Sequence, residues 1–219
     1  MLAINPIHTL DLLVKGLLVG VIASAPMGPV GVLIVRRTLS KGRIYGFITG
    51  LGAATSDIIY ALLTGVGMSY VMSFMEKGTS VFLLKILGSI VLFFFGLHAY
   101  RTRVQINDKP SQKVGTLWHN ALTGFLITLS NPLIAFLFIA LYARFDFISD
   151  THLYEQIMGY SMVYIGAILW WFCLTKAIKT VSQRLHVSYI ELFNRMLGLL
   201  VMAASFISLV YSVVLKLCI

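Results

Sequence analysis

Apolar residues in this chain gather into long runs, with polar residues confined to the gaps between them. A helix needs about 20 apolar residues to cross a bilayer core of about 30 Å. Six runs meet that length, about Leu12–Val35, Ile44–Ser69, Val81–Tyr100, His119–Ala143, Leu153–Leu174 and Tyr189–Lys216. Gly and Pro interrupt some of them. In lipid the freed backbone groups find partners on neighbouring helices or in a wet cavity, so the interruptions do not disqualify a run. The pattern predicts an all-α membrane protein with six transmembrane helices, forming one domain over residues 1–219. Helices 1 and 4 are expected to be broken, the first at Pro26-Met27-Gly28-Pro29 and the fourth at Asn131-Pro132.

Composition excludes the soluble alternative. Hydrophobic residues make up 58% of the chain and charged residues 11%, with a mean hydropathy of +0.90. A soluble domain carries about 25% charged residues. Net charge is +9, a balance that in a soluble chain would suggest nucleic acid. Here the positive residues sit in short loops beside apolar runs, where they meet anionic headgroups. The lipid bilayer is therefore an expected partner and nucleic acid is not.

The same charges predict orientation. The first loop holds Arg36, Arg37, Lys41 and Arg43, the third Arg101, Arg103, Lys109 and Lys113, and the fifth Lys176, Lys179 and Arg184. The second holds Lys77, and the fourth Arg144 beside Asp146 and Asp150. Positive residues mark cytoplasmic loops, which puts both the N- and C-termini outside. Residues 176–186 fit a short amphipathic helix at the interface before the last run. Ala23-Ser24-Ala25 imitates a signal-peptide cleavage site. However, Lys15 is the only Lys or Arg ahead of it, and Pro26 would follow the cut, so the first segment is expected to be retained.

The runs repeat in order. Lys85-Ile86-Leu87-Gly88 in the third is matched by Arg195-Met196-Leu197-Gly198 in the sixth. Tyr45 to Gly50 opens the second as Tyr154 to Gly159 opens the fifth, and the first and fourth both break midway. Three spans is an odd number, so the second copy is inverted. The expected repeats cover residues 11–100 and 119–216. Inverted repeats with breaks at matching positions are a transporter signature.

A broken helix exposes N–H groups on one side and carbonyls on the other. The first attract an anion and the second a cation. Pro26, Gly28, Pro29 and Pro132 make the breaks, and two such breaks suit a zwitterion. Asp57 is the acid well inside a span, about 18 Å along its helix from Tyr45. Gly42, Gly46, Gly50 and Ala54 form a small-residue face that turns Asp57 into the bundle. The same face would permit a homodimer. Asp57 then either binds a substrate ammonium or carries a coupling proton. As a purely structural acid it would be held by Thr49, Ser24 or Asn131. Ser24, Thr128, Ser130 and Asn131 are the polar groups near the breaks, able to complete a site or to satisfy the broken backbone. Trp170 and Trp171 lie inside the fifth span, where core packing or a cavity wall are both open. His98 and His119 read as interfacial.

No nucleophile triad, phosphate loop or metal cluster is visible, and nothing calls for a cofactor or an enzyme activity. Cys173 and Cys218 have no CxxC spacing, which disfavours a membrane redox protein. An exporter of metal cations would place several acids, His or Cys inside its spans. A non-transporting scaffold is the remaining alternative.

Three stretches carry a resemblance across nearly the whole chain. They are Ala25-Pro26-Met27-Gly28-Pro29-Val30-Gly31, the run from Gly42 to Asp57, and Gly124 to Pro132 with its Asn-Pro pair. They resemble the lysine exporter (LysE/RhtB) family of amino-acid translocators. The resemblance implies a six-helix secondary transporter of the cell inner (plasma) membrane. It would export amino acids or related small solutes, driven by protons. Pro26, Gly28, Pro29, Asp57, Asn131 and Pro132 match the motif positions, and Ser24 and Thr128 join them as candidate substrate-binding residues. Many members have Pro-Gly-Pro followed by Asn or Asp. Here Met27 intervenes and Val30 follows, so no particular substrate is implied.

Overall fold

A computed structural model describes residues 6–74, 77–102, 115–145, 147, 153–181 and 187–217. All regular structure among them is helical: α1 Pro6–Ser24, α2 Pro29–Lys41, α3 Arg43–Phe74, α4 Lys77–Arg101, α5 Leu117–Leu129, α6 Leu133–Phe145, α7 Leu153–Val181 and α8 Val187–Leu217. Each apolar run in the sequence has become one of these helices or a pair of them. The pairs fall at the two expected breaks. The chain bends by 79° between α1 and α2 and by 71° between α5 and α6.

Three helices are long and apolar enough to cross a membrane, over Arg43–Met68, Tyr154–Thr180 and Ser188–Val214. The two bent pairs pass the same test if each is one interrupted span. The remaining run, the 25-residue α4, lies along α8. The outer face of α8 exposes Leu200, Phe206, Ile207 and Tyr211 at 60–67%. Such a face is a liability in water but suits lipid, as expected of a multi-pass membrane protein.

The main packing pairs are α1 with α7, α3 with α5 and α4 with α8. Missing side chains allow these close approaches. A Cβ on Gly52 would overlap the Ala121 carbonyl oxygen, and one on Gly124 would overlap the Thr49 carbonyl oxygen, so α3 and α5 are held backbone to backbone from both sides. Gly166 meets the Leu17 carbonyl oxygen of α1 in the same way. The small-residue face of α3 is therefore buried inside the chain. Gly46 lies against Thr38 of α2, Gly50 against Trp171 of α7, and Ala54 is fully buried. Those three positions are therefore taken up by contacts within the chain.

Two local expectations are corrected. The basic stretch from Arg36 is not a loop: α2 runs on through Lys41, since no helix breaker intervenes. The chain turns only at Gly42, whose φ of 102° favours glycine. Arg37 is buried, and its guanidinium donates to Thr49 Oγ1 (2.9 Å) and to the Asn120 carbonyl (3.1 Å). Lys176 to Val181 do not start an interfacial helix, because they continue α7 without a break. The rest of that stretch, together with Arg103, Lys109, Lys113, Asp146, Asp150, Arg184 and Cys218, lies outside the described residues.

Candidate functional site

At the first break two prolines lack N–H groups, and the backbone around Met27 and Gly28 finds partners. The Gly28 N–H donates to the Pro26 carbonyl (2.9 Å), and the Val32 N–H donates to the Gly28 carbonyl (3.1 Å). Met27 is served from a distant helix. Asn194 of α8 accepts from the Met27 N–H (3.1 Å) and donates to the Met27 carbonyl (3.2 Å). Asn194 is 1% exposed. One amide side chain thus replaces both hydrogen bonds that a continuous helix would have given Met27.

The second break is closed locally. The Ser130 N–H reaches the Leu126 carbonyl, and the Asn131 N–H reaches that of Thr128. Asn131 Oδ1 accepts from the Leu133 N–H (3.2 Å), capping the start of α6. The start of α2 has no such cap: Gly28 stands at the N-cap and supplies no side chain. Pro132, the residue that cannot donate, is exposed.

α3 reaches both breaks. Asp57, 4% exposed, accepts from Ser24 Oγ (3.0 Å) at the last residue of α1. Tyr60, one turn further along, donates its hydroxyl to the Leu129 carbonyl (2.5 Å) at the last residue of α5. Of the three partners anticipated for the acid, only Ser24 holds it. Thr49 instead accepts from Arg37, and Asn131 caps α6.

These groups share one cavity of about 90 Å³ between the two bends. Ser24, Pro26, Gly28, Pro29, Asp57, Thr128 and Asn131 line it, so seven of the eight candidate residues come together and Pro132 does not. Apolar walls come from residues such as Phe95, Ile134 and Leu137. The acid faces the bundle interior, as the small-residue face required.

Asn194 and Tyr60 escaped the sequence reading, whereas Trp171 and His98 were noted there without being placed at the site. Asn194 is an amide inside an apolar run, a signal that was available. Tyr60 sits in an apolar run with no local signal of its partner at Leu129. Trp171 is 2% exposed and both packs against Gly50 and lines the cavity. His98, read as interfacial, is exposed three residues before the end of α4 and also borders the cavity.

A helical membrane bundle with two sharply bent helix pairs around the buried carboxylate of Asp57 has the architecture of a membrane translocator. The chain belongs to the LysE type translocator family, whose model matches residues 21–212. It is similar to the putative amino acid efflux protein YcgF of Bacillus subtilis (strain 168). Identity is 27% over 180 residues, covering 81% of this chain and 85% of that protein. It is also similar to the uncharacterized membrane protein YahN of Escherichia coli (strain K12), with 26% identity over 154 residues, 69% of this chain and 68% of that protein. No solved structure matches the chain.

Proposed function

We propose that this translocator exports amino acids or closely related small solutes across the cell inner membrane in exchange for protons, with the cavity between the breaks as its binding site. The observation that carries the reading is the convergence of both helix breaks and Asp57 on that one cavity. Family membership and the amino-acid efflux relative support the solute class.

The chemistry follows from the groups present. The uncapped start of α2 offers backbone N–H groups and the positive end of its dipole to a carboxylate. Asp57 offers its carboxylate to an ammonium. Asp57 also carries the coupling proton: a proton on the acid and an ammonium beside it are alternative ways of neutralising one buried charge, so binding of one displaces the other. Each proton moving inward across 100 mV supplies about 2.3 kcal/mol, enough to drive a neutral zwitterion outward against a gradient.

The proposal includes six spans in two inverted repeats, with α1–α2 matching α5–α6, α3 matching α7 and α4 matching α8. The packing pairs favour this. Exchanging the halves turns the α1–α7 contact into α5–α3 and maps α4–α8 onto itself. Both termini outside is the orientation proposed from the loop charges. Arg37 is removed from that argument by its burial, which leaves the bias intact.

The test is uptake of a labelled amino-acid panel into proteoliposomes holding the purified protein, with and without an imposed pH gradient. Gradient-dependent movement of at least one amino acid is expected. Equal rates with and without the gradient would remove proton coupling, and no movement of any amino acid would remove the solute class.

A further inference from the structure

Six helical Thr residues in this protein share a habit that Thr128 breaks. Thr38, Thr49, Thr55, Thr123, Thr175 and Thr180 each donate the hydroxyl to the carbonyl four residues back, the usual resting place for a hydroxyl inside an apolar helix. Thr128, in the last turn of α5, is 2% exposed and its Oγ1 has no partner. The indole Nε1 of Trp171 is also buried without one. Five buried side-chain polar atoms among the described residues lack a partner, and these two belong to residues that line the cavity. Leaving a buried donor unpaired is costly, and a ligand in the cavity that both residues border would give each of them a partner.

Their chemistry identifies which part of the ligand. The Trp171 N–H only donates, whereas ionised Asp57 only accepts. Together with the Thr128 hydroxyl and the uncapped α2 terminus, the cavity has an acceptor at one place and several donors elsewhere. Resting on the function proposed above, we infer that Trp171 and Thr128 bind the carboxylate of the substrate, and that the substrate is an amino acid with a small, uncharged side chain. The second part follows from size and charge. A cavity of about 90 Å³ is well below the roughly 300 Å³ at which pockets for drug-sized ligands begin. Among its lining residues Asp57 is the one acid, and a substrate α-ammonium occupies it. A basic side chain would bring a second positive charge with no second carboxylate among the lining residues to neutralise it.

Competition against labelled L-alanine uptake in proteoliposomes tests this. The competitors are unlabelled L-alanine, L-alaninamide, which keeps the ammonium but replaces the carboxylate with a neutral amide, and L-lysine. In the unaltered protein, alaninamide and lysine are expected to compete at least tenfold more weakly than alanine. Trp171→Phe and Thr128→Val, which remove a donor while keeping much of the packing, are expected to narrow the gap between alanine and alaninamide to less than threefold. Equal competition by alaninamide, or lysine competing as well as alanine, overturns the inference in the unaltered protein alone, whatever the variants do. An unchanged gap in both variants also overturns it. In each of these cases the function proposed above still stands. If no amino acid is taken up, both fail.

Discussion

Asp57 and Tyr60 lie one turn apart on α3 and hold opposite breaks. The carboxylate accepts from Ser24 at the end of α1, and the phenol donates to the Leu129 carbonyl at the end of α5. α3 is therefore a strut between the two bends. On the function proposed above, a solute or proton arriving at Asp57 would be linked through α3 to both bends.

Tyr60→Phe tests the strut. It removes one hydrogen bond and leaves the ring in place, and Asp57 keeps its Ser24 partner. The expected result is a fall in turnover of about tenfold, within the worth of one buried hydrogen bond. The half-saturating amino-acid concentration should change less than threefold. The two constants come from uptake rates measured across a concentration series.

The Asn194 clamp makes a second prediction. Asn194→Ala leaves the Met27 N–H and carbonyl buried without partners, a loss of about 1–3 kcal/mol for each. Thermal unfolding in detergent should shift downward by several degrees. Asn194→Asp keeps an acceptor for the Met27 N–H but sets a buried carboxyl group against the Met27 carbonyl, so its melting temperature should also fall below that of the unaltered protein. A melting temperature unchanged in Asn194→Ala would mean that the break does not depend on α8.

Close packing of α3 on α5 gives a third. At Gly124 an added Cβ would run into the Thr49 carbonyl oxygen, which belongs to backbone and cannot swing aside. Gly124→Ala should cost about 1–3 kcal/mol, the usual range for overpacking, read as a lower melting temperature. At Gly67, where a Cβ meets nothing within 4 Å, the same substitution should leave the melting temperature unchanged.

Much of the helical layout was legible because its determinants are local. Apolar runs set helix lengths. The prolines flanking Gly28 and the Asn131-Pro132 pair set the breaks, and a lone acid in an apolar run announces itself. The inward turn of Asp57 was legible from the glycine spacing, since small residues mark the face where helices touch. What was not legible depends on which distant helix arrives where. No pattern near Met27 announces that Asn194, 167 residues later, will hold its peptide. The place of His98 near the end of an apolar run is visible in sequence, whereas the cavity that it also borders is not. Arg37 was misplaced for a different reason. Charged neighbours made the stretch look like a turn, yet the helix had a buried carbonyl at Asn120 and a hydroxyl at Thr49 to offer the guanidinium.

The most direct measurement is uptake by Asp57→Asn in proteoliposomes, with and without a pH gradient, beside the unaltered protein at equal inserted amounts. Asparagine keeps the shape and an acceptor for Ser24 Oγ but has no carboxylate to carry a proton or meet an ammonium. The account predicts a protein that inserts normally and shows no gradient-driven amino-acid movement. Movement at the unaltered rate, still responding to the gradient, would contradict it.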